Sequence, residues 1–443
     1  AFSNTRLTNC VFERDSSLAG LSGAIYYPAA LQSQNTSSLV LDSCVFRKNV
    51  SPEGTCLFYN GNLSSSTPGV QFFCRIKNCT FEENIAKNSD GGAYLMVTSY
   101  GGKIIAEVVD CVFRNNLSGT YTSTISAVAG SEIEVYLDRC IFTGNRHRNS
   151  PTNTCFATQS GTSDGSAINK AITKINNCLF AHNGGGVAMH SGRTNYVTTN
   201  ITNCTFFENN KYIFVHSWDT LYNQSGGFYN NLFIDNCIVW EPGTDLIKMF
   251  YNNDSDNLSM YGYHINHTLL SLQDSTGVPG SLEAFGDGLI FDQYPLFEDT
   301  AAGNFRLQVC SPAVGKGNSA TLDAGLLSDL DGLDRIRYGA VDLGAYEQQD
   351  SCEIVNISEP GIFSGLRIWP NPSASGQVYF QVMGAFTGEG FFRVLNSWGQ
   401  EIYRQPIVLQ SVNMVDLGYL PSGIYQVSVE TRDDVSSGKW IKL

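Results

Sequence analysis

Short runs of alternating apolar and polar residues recur along the first two thirds of the chain. Lys103 to Val109 and Glu132 to Leu137 are two of them. Each run is bounded by Gly, Asn, Asp or Ser, so each reads as a short β-strand closed by a turn. No stretch shows a helical period. A second kind of run opens on Gly with Ala close behind, as in Gly23-Ala24-Ile25-Tyr26, Gly92-Ala93-Tyr94-Leu95, Gly165-Ser166-Ala167-Ile168 and Gly186-Val187-Ala188-Met189. Between the two kinds stands a third piece, a cysteine, an apolar residue or Thr, and then Phe.

That third piece returns eight times, at Cys10, Cys44, Cys79, Cys111, Cys140, Cys178, Cys204 and Cys237. The aromatic partners are Phe12, Phe46, Phe81, Phe113, Phe142, Phe180 and Phe206. Successive cysteines lie 34, 35, 32, 29, 38, 26 and 33 residues apart. An aliphatic residue stands three positions before every cysteine: Leu7, Leu41, Ile76, Val108, Leu137, Ile175, Ile201 and Ile234. Asn stands five positions after six of them: Asn49, Asn84, Asn116, Asn145, Asn183 and Asn209. Asp15 holds that place in the first copy, and the last copy loses it. A ninth, degenerate copy puts Thr268 in the cysteine slot.

A period of this length marks a stacked-repeat architecture. Three strands in each repeat of about 30 residues predict an all-β fold, a right-handed parallel β-helix of about nine coils plus a C-terminal cap. At the spacing of strands within a sheet, the stack would be about 40 Å long. Aligned Cys and Phe side chains form interior ladders, because a single coil cannot bury its apolar face alone. The recurring Asn suits a turn, where it tolerates a left-handed backbone and bonds its own main chain.

Composition sharpens this picture. Only 15% of residues are charged and the net charge is −14. No basic stripe could neutralise phosphates, so nucleic acid is excluded as a partner. No apolar run is long enough for a transmembrane helix. The 13 cysteines would ordinarily suggest a disulfide framework. Eight share the repeat register, however. Cys74 falls where other copies carry Leu39 and Val135, and Cys56 and Cys155 fall where others carry Ala24 and Ala93. These eleven read as small inward-facing residues. Cys310 and Cys352 stand outside the register and are the expected disulfide. The chain opens with Leu7 and Cys10 already in phase, which predicts further residues upstream.

The repeat fades after residue 271. Four phrases then follow in order: Tyr294-Pro295-Leu296-Phe297, Gly303-Asn304-Phe305-Arg306-Leu307, Asp329 to Arg335, and Val341 to Glu347. Their order resembles the closing segment of bacterial surface β-helix proteins of the choice-of-anchor type. The resemblance implies a terminal coil and an irregular cap over residues 272–349, protecting the open sheet ends. Residues 350–365 read as a linker. Residues 366–443 change to a compact all-β pattern with strands at Gln377 to Val382, Gly390 to Leu395, Glu401 to Arg404 and Gly423 to Glu430. The marks Pro370-Asn371-Pro372, Gly399, Gly423, Tyr425, Lys439 and Lys442 resemble the type A sorting domain of the type IX secretion system of Bacteroidota. That resemblance implies a small β-sandwich of about seven strands, export across the outer membrane, and the type IX translocon and attachment machinery as partners. It also implies that the domain is normally cleaved during attachment.

Catalytic chemistry is harder to find. A β-helix hydrolase needs two facing carboxylates. A lyase needs clustered acids for calcium and a basic proton acceptor. Asp15, Asp90, Asp164 and Asp219 are scattered in turns, and Asp254 with Asp256 is a local loop pair. The histidines (His147, His182, His190, His216, His264 and His267) lack zinc-helix spacing. Asp329-x-Asp331-Gly332-x-Asp334 resembles a calcium loop but has Ala340 at the twelfth place, so it reads as a structural turn. No cofactor is called for, and structural Ca2+ is the one cation worth testing. The expected function is that of a secreted, non-enzymatic cell-surface protein, the C-terminal part of a longer adhesin or extracellular appendage subunit. Its expected partners are a glycan or cell-surface ligand, or further copies in a homo-oligomer or filament. The competing reading is a polysaccharide lyase or glycoside hydrolase.

Overall fold

The computed structural model describes residues 4–17, 24–28, 36–52, 56–61, 71–87, 95–99, 103–119, 122–129, 132–148, 154–160, 170–184, 187–191, 196–209, 214–218, 229–242, 247–250, 261–271, 285–322, 327–337, 339–350, 366–373, 376–382, 388–396, 398–410, 412–431 and 435–443. They belong to two compact units, Ala1–Cys352 and Glu353–Leu443.

The first unit is a parallel β-solenoid. Its longest sheet stacks Asn4–Thr8, Thr36–Asp42, Gln71–Lys77, Lys103–Val109, Glu132–Asp138, Lys170–Asn176, Tyr196–Thr202, Tyr229–Trp240 and Tyr261–Leu270 in that order, every pairing parallel. The Cys-x-Phe pieces form short strands in the same sheet, such as Val112–Arg114 on Ile141–Thr143. A second sheet joins Val50–Ser51, Ile85–Ala86, Leu117–Ser118 and Arg146–His147. The third runs from Ile25–Pro28 to Ile247–Phe250. In that third sheet, the coil of Cys155 contributes Thr154–Ser160; the Gly165 to Ile168 run expected there lies outside the described residues.

The alternation read from the sequence is the alternation of burial. Along Lys103–Val109 every second residue is buried, and its neighbours repeat the pattern coil by coil. Seven phenylalanines, from Phe12 to Phe206, stack with ring centroids 4.6 to 4.9 Å apart. That separation is the strand spacing itself, so the register dictates the stack. Val239 continues the column where Phe is lost. Thr268 pairs with Cys237 in register, and its hydroxyl bonds the carbonyl two residues back, as the ladder thiols do.

The turn geometry differs from the sequence reading. The repeated Asn is not the left-handed residue. Left-handed backbone falls just before each cysteine, at Asn9, Ser43, Asn78, Asp110, Arg139, Asn177, Asn203 and Asn236, and again four residues after it, at Arg14, Lys48, Glu83, Asn115, His182 and Glu208. The turn residues from Asn9 to Glu208 hold their coils by donating their N–H to the next coil, as Asp110 does to the Asp138 carbonyl.

The closing segment also does more than cover sheet ends. Ile290–Phe291 pairs with the last long strand, and Phe285, Leu289 and Phe291 pack against the interior. The rest lies along the outer flank. There Phe297, Phe305, Leu307, Ala313, Leu343 and Ala345 make a second core with Leu179, Ala181, Phe207, Ile238 and Leu269. The covered flank is written into the repeats. Three positions after the cysteine, the outward residue is charged in Glu13, Arg47, Glu82 and Arg114, then becomes Ala181, Phe207 and Trp240.

The strands of the second unit pair antiparallel, and Ser373 adds a parallel bridge to Lys442. One sheet holds Leu366–Trp369, Gln377–Val382 and Asn413–Asp416. The other holds Glu401–Val408, Glu389–Leu395, Gly423–Thr431 and Val435–Lys442. Val378, Phe380, Phe392, Val394, Val427, Val429 and Trp440 fill its core.

Candidate functional site

Among the described residues, polar and sulfur chemistry gathers in three places: the axial ladders, the closing segment and the terminal domain. In the first, the thiols form a column. Cys44 N donates to Cys79 Sγ at 3.4 Å, and the same contact recurs from Cys79 to Cys111, Cys140 to Cys178, Cys178 to Cys204, and Cys204 to Cys237. The eleven cysteines from Cys10 to Cys237 are thiols rather than disulfides, and only Cys10 is partly exposed. Burial pushes Cys74 up to about 12 and raises Cys111, Cys178 and Cys237. Thiols raised in this way stay protonated and unreactive, whereas hydrogen bonds with neighbouring thiols lower Cys79, Cys140 and Cys204 against the effect of burial.

Beside them runs an amide ladder. Asn84 N and Nδ2 both donate to Asn116 Oδ1, at 3.1 and 2.9 Å, and Nδ2 also donates to the Phe46 carbonyl at 3.1 Å. Asn49, Asn116, Asn145 and Asn183 repeat the arrangement. Asp15 enters it at the first coil through its N–H to Asn49 Oδ1. The ladder ends on a carboxyl, where Asn209 Nδ2 donates to Glu241 Oε1 at 2.7 Å. Burial pushes Glu241 up to about 9, so it is neutral at pH 7. Glu241 escaped the sequence reading because it stands four residues after Cys237 rather than five.

In the closing segment, Arg335 is fully buried. It donates to the carbonyls of Gly344 and Ala345 at 2.9 and 3.0 Å, and to Asn177 Oδ1 of the solenoid at 2.6 Å. Glu347 lies 3.7 Å from its guanidinium, and burial pushes that acid up to about 8. The candidate calcium loop is closed on itself. Asp329 accepts from the N–H groups of Asp331, Leu333 and Glu347, and Asp331 pairs with Arg306 at 2.7 Å. Among the described residues, no group of three or more His, Cys, Asp and Glu could hold a metal ion. Cys310 is in a disulfide; its expected partner, Cys352, lies outside the described residues.

Among the described residues, the candidate catalytic groups do not converge. Asp90, Asp164, Asp219, Asp254 and Asp256 lie outside the described residues. So do the side chains of His190 and His216. His147 bonds Ser118 Oγ, His182 sits edge-on to Phe207, and His264 stacks on Phe233. Glu107 and Glu134, on the outer face of the long sheet, are ion-paired, whereas burial raises Asp235 on a later strand of the same sheet. Arg75 Nε donates to Glu107 at 2.6 Å. Lys103 donates to Glu134 at 2.7 Å and holds that carboxyl below its ordinary range. A general acid needs the opposite shift.

In the terminal domain, residues far apart in sequence meet. Asn371 Nδ2 donates to the Lys439 carbonyl at 2.7 Å, and its Oδ1 accepts from Ile441 N at 2.8 Å. Ser373 bonds the backbone of Ile441 and Leu443. The Pro370-Asn371-Pro372 segment, with both X-Pro bonds cis, is thereby laced to the last strand. Lys442 is buried, and its ammonium donates to the carbonyls of Leu417, Gly418 and Leu420. Lys439 is exposed. Gly399 takes φ +77 in the turn before Glu401–Val408. Gly423 opens the strand Gly423–Thr431, where Tyr425 donates to the Pro421 carbonyl and packs on Trp440.

Residues 367–443 match the family of the secretion system C-terminal sorting domain. No curated protein matches the chain. The matched residues are a type IX secretion sorting tail, which directs its chain to the cell surface or extracellular space.

Proposed function

We propose that this chain is a non-enzymatic cell-surface adhesin or appendage protein of a Bacteroidota bacterium, exported by the type IX system. The solenoid is its stiff displayed body, and residues 366–443 are its export signal. The observation that carries this reading is the joining of a sorting tail to a solenoid with a continuous, in-register interior. Seven stacked rings and a buried amide ladder make a rod rather than a pliable cleft. The strand ladder supports a count of nine coils, and the bond at Cys310 supports its pairing with Cys352. The ion-paired state of Glu107 and Glu134 weighs against the polysaccharide lyase or hydrolase.

Export is tested in a bacterium with a working type IX system, comparing the whole chain with one cut after residue 365. Protease shaving of intact cells should remove the solenoid from the first strain only. Retention of the uncut chain inside the cell would defeat the reading. Incubation with uronate-containing and neutral polysaccharides should release no new reducing ends.

A further inference from the structure

The outer face of the long sheet carries a shallow cavity of about 270 Å³, lined by Ser38, Val40, Phe73, Arg75, Ile105 and Glu107 among others. Register makes it a grid. Ser38, Phe73 and Ile105 share one column of three successive coils, and Val40, Arg75 and Glu107 share the next outward column. Phe73 is 37% exposed, whereas the ladder phenylalanines from Phe46 to Phe206 are sealed inside. The Arg75–Glu107 pair spans two coils at 2.6 Å, with 54% and 37% of the two side chains exposed.

We propose that this cavity binds a neutral sugar ring of a surface or extracellular glycan. Its volume falls just below the range of pockets for drug-sized ligands, so it suits one ring. Val40, Phe73 and Ile105 offer an apolar wall to the C–H face of a pyranose. Arg75 can only donate and Glu107 can only accept. A ligand that engages both must therefore offer acceptors and donors on neighbouring atoms, as vicinal hydroxyls do. An anionic ligand would meet Glu107 and a cationic one Arg75, and the paired charges leave the site neutral. Gln71–Lys77 is paired on both sides, so a peptide has no open strand edge to extend. The proposal rests on the adhesin reading for its biological setting and names the ligand class.

Saturation-transfer NMR on the purified 443-residue chain tests it, using methyl glycosides of glucose, galactose, mannose and N-acetylglucosamine, with glucuronate and glucosamine as charged probes. At least one neutral glycoside should receive saturation at its ring C–H protons. Phe73→Ala and Arg75→Ala should each weaken that binding about tenfold, as loss of a contact worth about 1.4 kcal/mol does. Circular dichroism checks that the half-exposed substitutions leave the fold intact, and Glu107→Gln, which keeps the side chain's shape, should weaken binding as well. No transfer to any neutral glycoside would overturn the proposal. Transfer unchanged in all three variants, or stronger binding of glucuronate or glucosamine, would do the same. A chain that reaches the cell surface yet binds no sugar would sink this proposal and leave the export reading standing.

Discussion

At the residue scale the least ordinary group is Glu241. A carboxyl with an ordinary value of 4.5 that titrates at about 9 in the fold is protonated in the native state and ionised in the unfolded chain between those values. The native state then binds the extra proton, so stability falls as pH rises through that window. The contribution is full below about pH 4.5 and is lost by about pH 9. Glu241→Gln keeps the shape and removes the titration. The variant should match the parent at pH 4 and exceed it at pH 7 by up to roughly 3 kcal/mol, measured by urea unfolding across pH. An advantage independent of pH would show that Glu241 is not the titrating group. Asn116 tests the middle of the same ladder. Its amide accepts from Asn84 and donates to Asn145 and to the Phe81 carbonyl. Asn116→Ala strands buried partners on both sides and should cost about 2–4 kcal/mol. The asparagines were visible in the sequence as a period, but their role was not. A side chain that bonds across coils and one that bonds within its own turn leave the same mark at one position in thirty.

At the element scale the solenoid strands were legible because alternation and period point to the same faces. Leu41, Ile76, Val108 and Leu137, marked only by their distance from a cysteine, are all sealed inside. Cys155, read from the sequence as matching Ala24 and Ala93, lies in Thr154–Ser160, which stacks on Thr122–Ala129 in the third sheet, and the Gly165 to Ile168 run lies outside the described residues. The flank core was missed because its signal runs down the columns rather than along the chain, from Arg114 to Ala181 to Phe207. Gly344 is the joint of that core. It takes φ +94, and a Cβ there would come within 2.6 Å of Thr205 Oγ1 and 2.8 Å of Ile238 Cδ1. Gly344→Ala should therefore cost about 2 kcal/mol or more and loosen the closing segment ahead of the coils. Limited proteolysis is the direct readout, with early cuts between residues 296 and 347. Cuts spread evenly through the coils would mean that the segment and the solenoid unfold together.

At the scale of the whole solenoid, burial across the described coils is unequal between the early and the late repeats. At the late end, Ile290–Phe291 and the closing segment cover the last coil and its flank. At the early end, Leu7, Cys10 and Phe12 are only partly buried, and the Phe12 ring stacks on Phe46. In a stack where each coil leans on its neighbours, stability is a sum of coil and interface contributions, so opening begins at the coils whose ladder residues are least buried. The ladder thiols record that order. With a thiol reagent under native conditions, Cys10 should label first, then Cys44 and Cys79, with Cys204 and Cys237 last. Peptide mapping over time reads the sequence directly. Simultaneous labelling of all eleven would show that the solenoid opens as one cooperative body. Labelling of Cys237 before Cys44 would show that the closing segment fails to hold its end. The ordered result would mean that a stable late end keeps the later thiols from oxidation, and simultaneous labelling that a uniformly tight interior does.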